Sequence, residues 1–174
     1  DVEENGYFQY IPHPTVPHKN SIFKSKNTIN LKKSSKLIWG EVVTCGRKLY
    51  GDGEVFEFTS LSNQTTVFVE GEMIFKDRLF LDPKKNDLKA LGQFEGYTHQ
   101  ATMIVYNEDQ DFDQITEVLI ENVKDENEVE YGITTTIKDA IIIRVVGNGG
   151  EQLYKILKRI EQNILENTIP ALER

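Results

Sequence analysis

Between Leu37 and Cys45 apolar residues occupy both parities of an extended chain. Leu37, Trp39, Val43 and Cys45 point one way; Ile38 and Val42, with Gly40 and Thr44, point the other. This is the pattern of a strand covered on both faces. Glu41 falls in the middle of the first set. A carboxylate withdrawn from water there costs several kcal/mol unless a cation or hydrogen-bond donors meet it, so the pattern predicts a partner beside Glu41. The anomaly recurs downstream. Thr66-Val67-Phe68-Val69 and Met73-Ile74-Phe75 flank Glu70-Gly71-Glu72, which predicts a tight hairpin. On the returning strand Met73, Phe75, Asp77, Leu79 and Leu81 share one parity, with Asp77 as the lone acid, while Arg78 shares the other face with Ile74 and Phe80.

From Phe8 to Tyr106 short β-patterned runs follow one another with no helical period, so residues 1–106 read as an all-β region. After the polar stretch Asn107 to Asp111 the pattern changes. Phe112, Ile115, Val118 and Leu119 recur at helical spacing, and Val129 to Thr136 and Ala140 to Val146 read as strands joined around Lys138-Asp139. Leu153, Ile156, Leu157, Ile160 and Ile164 form the stripe of a last helix, which Gly149-Gly150 precede and Pro170 ends or kinks. Residues 107–174 are thus a helix-strand-strand-helix tail, expected to pack on the β region as one compact unit.

A chain of 174 residues, 39 % hydrophobic, suffices for one such unit. Its net charge of -8 argues against sequence-independent binding of nucleic acid or an anionic membrane. The basic run from Lys24 to Lys36 is interleaved with Ser, Asn and Thr and reads as solvated strand faces. The single cysteine, Cys45, cannot form an internal disulfide, which fits a reducing cytoplasm. No apolar run is long enough to span a bilayer. The opening Asp1-Val2-Glu3-Glu4-Asn5 resembles neither a signal nor a transit peptide and leads straight into a strand pattern, as expected of an internal piece of a longer protein.

The commoner role for acids in such strands is structural: an ion pair joining Glu41 or Asp77 to Arg47 or Arg78. Gly46 predicts a bend that turns Arg47 inward, where its planar fork can tie a carboxylate and backbone carbonyls together. His13 and His18 lie in a Pro-punctuated loop that could bring their rings together, and His99 stands apart; imidazoles suit late first-row divalent ions, though this spacing is not diagnostic. Cys45 reads as a small buried hydrophobe. Val145 to Gly150 resembles half of a dinucleotide-binding turn, but no third element follows the last helix. No phosphate-loop signature and no nucleophile–base set is present, and a carboxylate pair acting as acid and base would need a cleft that sequence cannot show. The strand pattern alone also fits a ligand- or carbohydrate-binding β-sandwich.

A chain of small motifs narrows this. Tyr10-Ile11-Pro12, Glu41 followed by Gly46-Arg47, Glu54-x-Phe56-x-Phe58, Asp77-Arg78 with Leu81-Asp82-Pro83, and Gly96-Tyr97-Thr98-His99 occur in an order that resembles the urease accessory proteins called UreD or UreH. The resemblance is to the later two thirds of a member and is strongest from Phe8 to Tyr106. It implies a mainly β fold, a two-layered β-helix-like stack of sheets with two C-terminal helices packed at one end. Gly46, Arg47, Arg78, Asp82, Pro83 and Gly96 would then be structural motif positions. The resemblance also implies a non-enzymatic scaffold with no cofactor of its own, which binds apo-urease and a UreF-type protein and, through the latter, a UreG-type GTPase. Nickel would pass through an internal water-filled channel. In that reading Glu41 and Asp77 offer weak oxygen ligation to a passing hydrated dication, and His13 and His18 are further transit or weak-binding candidates. Many members carry an acid just after the proline of the first motif, where this chain has His13-Pro14.

Overall fold

The turn at Glu70-Gly71 sets the register of the smaller of two sheets: both residues have positive φ, 49° and 79°, the pairing that joins two strands by a type I′ turn. The computed structural model describes residues 1–109, 111–136 and 140–168. That hairpin is β4 (Ser60–Val69) with β5 (Glu72–Leu81), and β2 (Ile22–Leu31) runs parallel to β4 on its other side, giving the order β2-β4-β5. A bulge between Val67 and Phe68 of β4 places one extra residue on β5, so Val67 pairs with Phe75 and Phe68 with Met73. Simple parity puts Met73 on the Asp77 face. The bulge instead buries Ile74 and leaves Met73 exposed, correcting that part of the sequence pattern.

The larger sheet has the order β1-β3-β6-β8-β7, formed by β1 (Tyr7–Tyr10), β3 (Lys36–Thr44), β6 (His99–Asn107), β7 (Val129–Thr135) and β8 (Ala140–Gly147). Its pairings are antiparallel except β1 with β3. β8 pairs with β6, so the sheet runs across the 106/107 position. The residues Lys138-Asp139 and Pro170 lie outside the described residues.

Two helices cover the outer face of this sheet. The first, α1 (Phe112–Glu121), starts where the Asp111 carboxylate accepts the backbone N–H groups of Asp113 and Gln114. The second, α2 (Gly150–Thr168), lays Leu153, Ile156, Leu157, Ile160 and Ile164 on Ile38, Val42, Met103 and Ile143. The α2 stripe is therefore core. Close approach needs a glycine: a Cβ at Gly40 would stand 3.1 Å from both Ile11 Cγ1 and Leu157 Cδ1. Neither helix is long and apolar enough to cross a membrane.

The chain is thus mainly β, in three layers: small sheet, large sheet, helices. Two parts of the expectation are corrected. The sheets face each other as a sandwich and form no β-helix among the described residues. The helices lie on a sheet face instead of capping one end, and only α2 is C-terminal, since α1 falls between β6 and β7. The reason is the two-sided apolar pattern of β3, β6 and β8, which requires a separate cover on each face.

Candidate functional site

Between the two sheets the core is interrupted. Ile29, Leu31, Leu37, Val67, Ile104 and Ile142 form one apolar cluster, and Val43, Phe58, Leu61, Leu81, Leu88 and Phe94 a second. The rows that separate them are polar on both sheets. On the small sheet Asn27 pairs with Thr65 and Thr65 with Asp77; on the large sheet Glu41 pairs with Thr102 and Thr102 with Arg144. Glu41 sits on its strand between Trp39 and Val43, and Asp77 between Phe75 and Leu79, one neighbour from each cluster; Asn27, Thr65, Thr102 and Arg144 adjoin the first cluster through Ile29, Val67, Ile104 and Ile142. The two rows meet across the gap.

At the β2–β3 end, Asn27 Nδ2 donates to Glu41 Oε1 at 3.2 Å, and the Thr65 hydroxyl donates to Glu41 Oε2 at 2.9 Å. At the β5–β8 end, Arg144 Nη2 donates to Asp77 Oδ1 at 2.8 Å. The expected partner beside Glu41 therefore exists, but it is a pair of neutral donors. This corrects the expected ion pairs. Arg47 is taken by Glu54, through Nε–Oε2 and Nη2–Oε1 contacts of 2.8 and 2.5 Å, and stacks over Tyr50 at 4.1 Å. Gly46 directs it there: its φ of +125° bends the chain after β3, and a Cβ would stand 2.7 Å from the Glu54 carbonyl oxygen. Each side chain tunes the other, Arg47 holding the Glu54 carboxyl below its usual range and Glu54 raising the guanidinium. Arg78 points to solvent, on the far side of β5 from Asp77.

Next to the polar rows, a third set is only partly satisfied. Asn63, two residues before Thr65 and on the same face of β4, has its Oδ1 buried without a partner. Gln100, two before Thr102, donates weakly to Thr102 at 3.5 Å. A buried amide oxygen such as that of Asn63 is where proteins hold ordered water. Cavities reach both ends of the layer. One of about 360 Å³ is lined by Asp1, Lys26, Asn27, Ile29 and Trp39, and one of about 440 Å³ by Phe75, Gly132, Thr134, Ile142 and Arg144.

The remaining sequence-derived positions fall elsewhere. His13 is exposed and stacks on Tyr154 of α2, its ring centroid 4.9 Å away, on the helix side of the large sheet. His18 is exposed and acts on the Glu54 carboxyl. Among the described residues no three His, Cys, Asp or Glu side chains converge as a metal cage. His99 is 5 % exposed on the helix face, Nδ1 2.8 Å from Thr98 Oγ1, and burial lowers its pKa to about 4. Cys45 is fully buried, and burial pushes its thiol up. Asp82 is buried at the end of β5 and accepts the Lys84 backbone N–H and the Lys85 ammonium, with Pro83 continuing that turn. Gly96 is exposed with open space at its Cβ position, and nothing in the structure requires glycine there. Gly150 brings α2 against Thr44 and His99, where a Cβ would stand 3.1 and 3.2 Å away, so the glycines before the last helix serve packing.

Sequence reading found Glu41 and Asp77 but missed Asn27, Thr65, Thr102 and Arg144. A signal existed for Asn27: Phe23, Ser25, Asn27, Ile29 and Leu31 alternate with Lys24, Lys26, Thr28 and Asn30, so Asn27 shares the inward face. Arg144 likewise interrupts the apolar run of β8.

Comparison with known proteins supplies the family context. Residues 1–172 match the family model described as UreD urease accessory protein. The chain is 40 % identical over 164 residues to the urease accessory protein UreD of Flavobacterium johnsoniae, covering 94 % of this chain and 58 % of that protein. It is 33 % identical over 164 residues to UreD of Acetivibrio thermocellus, covering 94 % of this chain and 61 % of that relative. It is 25 % identical over 171 residues to the urease accessory protein UreH of Helicobacter pylori, covering 98 % of this chain and 62 % of that relative. The chain thus spans about three fifths of the length of these curated relatives.

Proposed function

The chain belongs to the UreD urease accessory protein family, and on that premise we propose that it serves urease maturation as a non-catalytic scaffold carrying a cation-conducting layer. In this reading it works in the cytoplasm. It docks on apo-urease and on a UreF-type protein, through which a UreG-type GTPase is recruited, and nickel moves towards the urease active site between the two sheets. The observation that carries the conduit is the polar layer itself, six hydrophilic side chains in facing rows, bounded on one side by apolar rows (Ile29, Val67 and Phe75 facing Trp39, Ile104 and Ile142) and continued on the other by the amides of Asn63 and Gln100. A core that needed only stability would fill those rows with apolar groups at no desolvation cost.

The donor chemistry suits transit. Carboxylate, amide and hydroxyl oxygens exchange with the water of a hydrated dication and hold it weakly, whereas thiolates would trap it. Cys45, the one thiol, is buried outside the layer. Among the described residues Glu41 bonds only neutral groups, so an arriving cation meets a carboxylate with no bound cation to displace. Such a layer runs with no bond made or broken in a substrate. A ligand- or carbohydrate-binding sandwich, which the strands alone also fit, has no support from the family match.

The test separates docking from transit. In cells making the full-length accessory protein, Glu41→Gln is expected to keep pull-down of apo-urease while slowing urease activation. A soluble Glu41→Gln protein with full activation removes the conduit role, and failure of the unaltered protein to retain apo-urease removes the scaffold.

A further inference from the structure

Among the described residues Arg144 is the one cation in the polar layer, and its position is unusual for a strut. It sits at the mouth, lining the cavity between β5 and β7, with its side chain 51 % exposed and that of Asp77 26 % exposed. An exposed pair of this kind contributes little to stability. Its effect on charge is larger. With Arg144 present the layer holds two carboxylates and one guanidinium, a net charge of -1; without it, the two carboxylates match a dication. The guanidinium also occupies one of the two Asp77 carboxylate oxygens. Asp77 Oδ1 accepts both Arg144 Nη2 and the Arg78 backbone N–H at 3.0 Å, which leaves Oδ2 as its free oxygen among the described residues.

We propose that Arg144 is a built-in stand-in for the cargo: its guanidinium occupies the cation position at Asp77 and keeps that end of the layer closed to divalent ions until they displace it. The inference rests on the conduit reading above and adds a gate to it. Arg144 is a positioning and selectivity residue. A dication, with twice the charge, competes for Asp77, while a monovalent ion gains nothing over the bidentate-capable fork already there.

The test is titration of Ni²⁺ alone into the purified chain, followed calorimetrically and by competition with a chelating dye. Arg144→Gln is expected to bind Ni²⁺ on the order of tenfold more tightly than the unaltered chain, and the added change Asp77→Asn to take the gain away. Arg144→Met, which keeps the apolar stem beside Phe75 and Ile142, should reproduce the gain if the glutamine variant fails to fold. Unchanged Ni²⁺ affinity in the folded Arg144 variants overturns the gate. So does a gain that survives Asp77→Asn, since the ion would then bind elsewhere. Neither readout involves urease, so loss of docking or activation in the Glu41→Gln experiment leaves this result standing, and the reverse also holds.

Discussion

The Thr65 hydroxyl donates to the Glu41 carboxylate at 2.9 Å across the gap between the two sheets, and Asn27 Nδ2 donates to both, at 3.1 Å to Thr65 Oγ1 and 3.2 Å to Glu41 Oε1. Three strands from two sheets meet in this triangle. It explains how an acid is tolerated in β3 without a cation: its oxygens are met by fixed donors, and Thr65 is itself buried.

The first expectation concerns that triangle's energy. Thr65→Val should lower stability by about 1–2 kcal/mol, because it removes one donor and leaves Glu41 Oε2 unmet. Glu41→Leu should cost about 1–3 kcal/mol, because the Thr65 hydroxyl loses its acceptor and Asn27 Nδ2 keeps only Thr65 Oγ1. Glu41→Gln, which keeps one acceptor oxygen, should cost less than Glu41→Leu. Urea denaturation of the single and double variants gives the coupling. Strictly additive losses for Thr65→Val and Glu41→Gln would show that the bond contributes nothing.

Backbone strain gives a second expectation. Gly46→Ala places a Cβ 2.7 Å from a backbone oxygen at a φ of +125°, so the loop carrying Arg47 and Glu54 must shift, at about 2 kcal/mol or more. Gly51→Ala, at a φ of +58° with nothing within 4 Å, should cost only about 1 kcal/mol. Thermal melts of the two variants side by side check the ranking, and equal losses would mean that the close contact at Gly46 is relieved without cost.

A third expectation is a pH dependence from His99. Its folded pKa of about 4 lies below the ordinary 6.5, so as pH falls the unfolded chain takes up the proton first. The stability held above pH 6.5 is therefore lost progressively towards pH 4, by about 3 kcal/mol for this group. Denaturation midpoints measured across that window should be flatter for His99→Gln than for the unaltered chain. An identical slope in both proteins would assign the pH dependence to other groups.

The periodicities of β3, β8 and α2 carried most of the fold. A strand apolar on both parities must be covered twice, and a helix whose Leu153, Ile156, Leu157 and Ile160 share a stripe must be one of the covers. The Glu70-Gly71 turn announced its hairpin, and Glu41 and Asp77 stood out because their immediate neighbours are apolar. The Ile74 bulge was hidden, since it is set by cross-strand pairing and leaves no mark in a parity count.

Local pattern also fixed which way Glu41 points, because alternation along one strand is a property of the backbone. It could not fix what Glu41 meets. Asn27 and Thr65 come from strands 14 and 24 positions away in the chain, counted from Glu41, and their alignment depends on how two sheets stack. Arg78 is adjacent to Asp77 in sequence yet faces away, whereas Arg144, 67 residues on, reaches it. The sequence by itself determined that acids would stand among apolar neighbours on β strands and that the chain belongs with the urease accessory proteins. Only the tertiary structure decided that those acids share one polar layer, because contacts between sheets are set by packing of whole faces and not by neighbours along the chain.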